Sequence, residues 1–481
     1  MNRIVNKTDF EQVFRNFIHV ILKNCLLTIL SVICISSMAT AQIGKRFPSE
    51  RKLIKDPVTG VELIFLTSQP GKGDSKLYQT HNSWTSDGQW VIFRSNRVPE
   101  EAMAVNEETG EMVQITEGGY SGQLNISRNK MIMHYSRTVD ENGNPIPVRD
   151  RRASGAGAGA PAVARSMQII ETDLAELFAD SKAGTLKDAS HYQKICGTTP
   201  VSLGAGGLAA IDANEDIAYF SVSREEAMRH LPPGTKIAET FGPRNMGAGP
   251  SGLASMNLKT GEIRHVVSVP FQMGHVQSNN WVAGEIVFCW ETGGKAPKRM
   301  WVVKADGTGL RPIYDELETD WVTHEAVITP DEVAFAIMGH RPVGTQGFDG
   351  GTTNPGQEPG WGPSGTRAHL GGLAIANLRT GEVYLAGQTK SGSGLWHVGG
   401  SLDGRFAVGD DFKRDIWLID RRTNEMMLLS AGHKETAQDH PHPIFSTCGT
   451  KILIQSAMLS EDNRSMNIVV IKLPQDWLDR K

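Results

Sequence analysis

The chain is 481 residues long and carries 49 Lys and Arg against 53 Asp and Glu, for a formal net charge of −4 at pH 7 and a pI near 6.4. This balance argues against a nucleic-acid-binding surface. The length alone allows two or three domains, so the repeat pattern has to decide the number.

Arg3, Lys7, Arg15 and Lys23 precede an apolar run over residues 26–35, and Ala39-Thr40-Ala41 is a small-x-small cleavage site. Residues 1–41 therefore read as a signal peptide, with a mature chain that starts at Gln42 and is exported to the periplasm. An uncleaved anchor is the competing reading, although the run is short for a membrane span. No other segment approaches that length, so no stable membrane association is expected after cleavage. Cys25 and Cys34 leave with the signal. The odd trio Cys196, Cys289 and Cys448 reads as buried free thiols rather than a disulfide framework.

From there the chain repeats itself. Seven turn-like starts each lead into a short apolar strand: SWTSDGQWVIF from Ser83, LNISRNKMIMHY from Leu124, LAAIDANEDIAYF from Leu208, HVQSNNWVAGEIVF from His275, HEAVITPDEVAFAI from His324, HVGGSLDGRFAVGDD from His397 and HPIFSTCGTKILIQ from His442. A second series interleaves with them: AMAVNEETGEMVQIT, MQIIETDLAE, LASMNLKTGEIRHVV, MWVVKADGTGLRPIY, LAIANLRTGEVYLA, IWLIDRRTNEMMLLS and MNIVVIKL. Thr109-Gly110, Thr260-Gly261, Thr308-Gly309 and Thr380-Gly381 fall where a hairpin needs positive φ. The last member lacks a partner strand, and residues 61–67 (VELIFLT) lack a start. The pattern predicts an all-β, seven-bladed β-propeller over 42–481, its ring closed by an N-terminal strand that completes the last blade.

Between the repeats lie longer connections. Residues 153–163 are Gly/Ala/Pro low complexity and read as a loop. Residues 190–207 and 239–252 read as long connections, and 172–180 as a short helix interrupting the second blade. The longest connection, 341–367, holds eight glycines from Gly344 to Gly365. Its Trp361 could stack on a sugar ring or merely pin its own loop. Loops of this size are functional or disordered.

Four of the seven starts place a histidine at the beginning of the strand, where propeller blades face one central funnel. His440-Pro441-His442-Pro443 holds two imidazoles on a stiffened segment. With Thr323-His324-Glu325 it makes a plausible three-histidine site, and an added amide oxygen suits Mn²⁺ better than Ca²⁺. The plain alternative is that these histidines cap strand ends. His397, after Trp396, reads as a substrate contact or a supporting residue. His81 could line the same funnel. Asp410-Asp411 and Glu325 also fall near it, which leaves a hydrolytic carboxylate pair open.

These residues resemble the oligogalacturonate lyases, a family of seven-bladed propellers, over nearly the whole mature chain. The likeness is sharpest at Gly274-His275 with Phe288-Cys289-Trp290-Glu291, at Arg299-Met300-Trp301 with Thr323-His324-Glu325, and at His440-Pro441-His442-Pro443. The resemblance implies a divalent cation, usually manganese, held by His324, His440, His442 and Gln438, and His275 as proton-abstracting base. It also implies an arginine near the base, for which Arg244 and Arg367 are the candidates. The chemistry would be β-elimination on a uronate oligosaccharide by a monomer. A cation neutralises the uronate carboxylate, and a neutral imidazole, whose ordinary pKa lies near ambient pH, removes the C5 proton.

Three alternatives stand beside this. A non-catalytic TolB-like propeller, binding a glycan or protein partner in the cell envelope, would share the W-x-x-D-G-like starts but needs no histidine cluster. A propeller peptidase would need a G-x-S-x-G elbow, which is missing. A lyase for another uronate glycan would keep the mechanism and change the pocket loops.

Overall fold

Antiparallel meanders of four strands account for most regular structure in the computed structural model, which describes residues 42–69, 73–146, 165–240, 246–293, 296–316, 320–339, 372–388 and 394–480. The proposed signal segment, the 153–163 loop, Arg244, Trp361 and Arg367 lie outside these residues. The architecture is an all-β propeller.

Its hydrogen bonding gives six sheets rather than seven separate blades among the described residues. Five have four or five strands each and form single blades. The sixth has eight strands and joins the second and third repeats. The junction is one parallel pair, Leu208 with Gly122, between the strands Leu208–Ile211 and Ser121–Ile126. A Cβ on Gly122 would lie 2.5 Å from both the N and the O of Leu208. Two bare glycines in contact, Gly122 and Gly207, thus let neighbouring repeats approach closely enough to pair.

The strand Glu62–Phe65 pairs antiparallel with Asn467–Lys472, so the N-terminal segment enters the same sheet as the last strands of the chain. Its side chains alternate as a strand's must. Leu63 and Phe65 pack with Phe406, Leu418, Ile452 and Val469, while Ile64 and Leu66 pack with Val91, Phe93, Met103 and Leu453. Both faces are buried, which explains the unbroken apolar run. Burying each such side chain contributes about 1.5–3 kcal/mol.

The four predicted hairpin glycines, Gly110, Gly261, Gly309 and Gly381, all have φ between +70° and +75°. The helix in the second repeat spans Leu174–Ala183, starting later than predicted because the Asp173 side chain caps it by accepting from Glu176 N. The stretch 190–207 is not simply a connection. It carries the strand Gln193–Thr198, which supplies the outer edge beside Ser166–Asp173. Cys289 is buried, but Cys448 is exposed at a turn and Cys196 half-buried. No helix of the described residues is long and apolar enough to cross a membrane.

Candidate active site

The inner strands of five successive repeats lose register with their neighbours at one equivalent place. The breaks fall between Ser121 and Asn125, Leu208 and Ala210, Gly274 and Gln277, Thr323 and Ala326, and Leu395 and Val398. A bulge inserts a residue, bends the strand and re-aims a side chain. Gly122 takes φ +72° there, but His275 takes +46° and His324 +55°, with His442 at +50° ahead of the last inner strand. Left-handed backbone is uncommon for any residue but glycine and gathers at functional positions.

The bulges bring the histidines together around His397. Its ring centroid is 3.7 Å from His442, 4.2 Å from His324 and 5.1 Å from His440. Asp410, at the end of Phe406–Asp411, accepts the backbone N–H of His397 and that of His442. Both its oxygens lie 3.1 Å from His397 Nδ1, and Oδ2 lies 3.6 Å from His440 Nδ1. Burial opposes its ionisation, but the partnership with His397 outweighs burial and holds the carboxyl well below its ordinary range. Burial, with His442 next, lowers His397 to about 3, and burial followed by His397 and His275 holds His324 well below the usual imidazole range. Both rings are neutral at pH 7 and keep a lone pair.

Two further nitrogens, His440 Nδ1 and His442 Nε2, are buried without a hydrogen-bond partner. Asp439 Oδ1 comes within 3.1 Å of His442 Nε2, but out of hydrogen-bonding alignment. Unsatisfied buried nitrogens call for a missing partner. Four clustered imidazoles beside carboxylates form a nitrogen-rich donor set that suits a divalent transition-metal ion better than Ca²⁺. The residues thus fit a divalent cation, which is the class of cofactor that the resemblance implies. Gln438 is placed differently. It lines a cavity of about 390 Å³ together with Asp439 and His442, and its backbone N–H bonds the carbonyl of Arg464.

His275 stands beside this cluster, its ring 5.9 Å from His324. Its Nδ1 is 3.0 Å from Glu325 Oε1, and Arg299 Nε donates to the other Glu325 oxygen at 3.1 Å. Arg299 also reaches Glu291 Oε2 at 3.3 Å. Burial opposes ionisation of Glu325, but Arg299 and then His275 outweigh it and hold the carboxyl at about 2. The Glu325 carboxylate is placed to accept a proton on Nδ1, the tautomer that keeps the lone pair on Nε2. That atom faces the Tyr78 hydroxyl at 3.5 Å and Glu291 Oε2 at 3.5 Å. Burial, with Glu325 next, raises the Tyr78 hydroxyl well above its ordinary range, so it keeps its proton.

Arg299 is thus an arginine beside His275; Arg244 and Arg367, the candidates for such a role, lie outside the described residues. Its position in the Arg299-Met300-Trp301 motif was the available signal. Tyr78 and the pairing of Asp410 with His397 left no trace of spacing. His81 is tied to the framework, Nε2 with Ala209 O at 2.8 Å and Nδ1 with Thr80 Oγ1 at 2.8 Å, and burial lowers it to about 4. It nevertheless lines a cavity of about 520 Å³ shared with His275, Tyr78 and Arg94.

No protein-family model and no curated protein sequence matches the chain. Its fold is similar to that of an oligogalacturonate lyase solved in complex with manganese, with a TM-score of 0.65 at 17% identity, over 91% of this chain and 100% of that one. An oligogalacturonate lyase from Vibrio parahaemolyticus superposes with a TM-score of 0.63 at 16% identity, over 91% of this chain and 100% of that one. The resemblance read in the sequence is borne out at the level of the fold.

Proposed function

We propose that this chain is an exported, metal-dependent lyase that cleaves uronate-containing glycans by β-elimination. In this reading the eight-stranded sheet counts as two blades, giving a ring of seven that the strand Glu62–Phe65 closes. The observation that carries the function is the orientation of His275. Its Nδ1 is held by Glu325 and its Nε2 is turned toward Tyr78, next to four clustered imidazoles.

A divalent cation bound at those imidazoles, manganese by resemblance, would neutralise the uronate carboxylate and so acidify the adjacent C5–H. His275 Nε2 takes that proton, and Glu325 stabilises the imidazolium that forms. The electron pair left at C5 forms the C4–C5 double bond as the C4–O bond breaks. Tyr78, still protonated and 3.5 Å from Nε2, is the group placed to return a proton to the departing oxygen. Arg299 and Glu291 position the base. The cavities beside His275 and His442 share Tyr78 and Arg94, and Lys76 lines the second. Arg94, common to both cavities, suits a carboxylate of an anionic oligosaccharide.

The test is ultraviolet absorbance of the conjugated unsaturated product, on mature protein given oligogalacturonate and other uronate glycans with manganese or chelator. A metal-dependent rise, lost in His275→Ala, supports the reading and identifies the glycan. No rise on any uronate polymer sinks it and favours a binding propeller.

A further inference from the structure

The four imidazoles are not equivalent. His397 is the ring to which each of the other three is a neighbour, at 3.7, 4.2 and 5.1 Å between centroids. It is 3% exposed, and its Nδ1 faces a fully buried carboxylate, Asp410. That contact fixes the tautomer and leaves Nε2 as the donor atom of the ring. Carboxylate–histidine pairs of this kind orient and strengthen metal-ligating imidazoles. The same carboxylate accepts the backbone N–H of His442 and lies 3.6 Å from His440 Nδ1, so one anion organises three rings. Gln438, by contrast, lies along the cavity wall next to His442.

We infer that His397, oriented by Asp410, is itself a ligand of the divalent cation, together with His324, His440 and His442, in the place that the family resemblance gives to Gln438. The inference rests on the metal-dependent reading of the site but not on its substrate or on turnover. It makes the centre an all-imidazole one. The Asp410 carboxylate supplies negative charge behind the donors, and the substrate is left to supply oxygen.

The experiment is a manganese titration of chelator-treated mature protein, following loss of the free Mn²⁺ electron paramagnetic resonance signal. The wild type is compared with His397→Ala, Asp410→Asn and Gln438→Ala. The expected result is a loss of affinity of roughly 10–100-fold or more in the first two, with Gln438→Ala within about threefold of wild type, as befits a side chain that is not a ligand. Pulsed resonance on bound Mn²⁺ in the unaltered protein adds a readout that needs no variant. It should show nitrogen couplings from four imidazoles. Couplings from three, with Gln438→Ala carrying the loss, would overturn the assignment even if His397→Ala failed to fold. A wild type that binds no Mn²⁺ overturns it too. Manganese bound through His397 without turnover of any uronate glycan would leave it standing and sink the proposed reaction instead.

Discussion

Arg299 Nε meets Glu325 Oε2 at 3.1 Å with both side chains almost wholly buried, and the second oxygen of that carboxylate holds His275 Nδ1 at 3.0 Å. A cation, an anion and an imidazole thus form a dry chain behind the proposed base. Removing one member of a buried ion pair strands the other's charge. Arg299→Met should therefore cost about 3–5 kcal/mol of stability, read as a lowered urea midpoint. Loss of activity with an unchanged midpoint would contradict this account.

His275→Ala should lower kcat by roughly 10²–10⁴-fold, the range of general base catalysis, while manganese affinity stays at the wild-type value. Glu325→Gln should lower kcat as well, because the amide can donate to Nδ1 and so favours the wrong tautomer. An imidazole rescue of His275→Ala, rising with pH as the free imidazole loses its proton, would mark the missing group as a base.

Tyr78→Phe keeps the ring packed between His275 and His442, whose centroids lie 5.1 and 5.2 Å away. Only the hydroxyl is lost. The expected effect is a fall in kcat of at least about 10²-fold with KM little changed. It should be smaller for substrates with a more acidic leaving group, which needs less help to depart. An unchanged kcat would remove Tyr78 from the mechanism.

Metal should be linked to unfolding. At a free manganese concentration one hundred times Kd, a ligand that binds only the folded chain stabilises it by about 2.7 kcal/mol. The melting temperature should rise with added manganese and return with chelator. In His324→Ala the shift should be smaller.

His433 gives a pH test away from the site. It is 4% exposed, bonded to Ser430 and Ser456 at 2.9 and 2.8 Å, and lowered by burial from 6.5 to about 4. As pH falls the unfolded chain takes the proton first, so stability is full above about 6.5 and drains away down to about 4. The loss is at most roughly 3 kcal/mol. The stability gap between wild type and His433→Asn should narrow by that order between pH 7.5 and 4.5. A gap independent of pH would contradict the burial argument.

Much of this is legible in the sequence. The two interleaved series marked the strands, because a segment buried on both faces, such as Leu63 to Leu66, must be apolar throughout. The turn glycines followed from backbone sterics. The ring of histidines followed from their common place at the blade starts. Asp410 was visible as a residue but not as a partner, since its value lies in a cross-strand contact with His397 thirteen residues back. Glu325 and Arg299 are twenty-six residues apart and meet only because neighbouring sheets face one funnel. The merging of the second and third repeats was hidden for another reason. It depends on an absent Cβ at Gly122, and a glycine in a turn-rich sequence looks like any other.

The left-handed backbone at His275, His324 and His442 has an evolutionary edge. At the equivalent bulge Gly122 adopts the same conformation at ease. Drift from histidine to glycine at these three places would relax the scaffold while erasing the proposed chemistry, so selection for stability and selection for that chemistry would pull against each other there. A lineage with no use for that chemistry would lose these histidines early and go on inheriting the propeller.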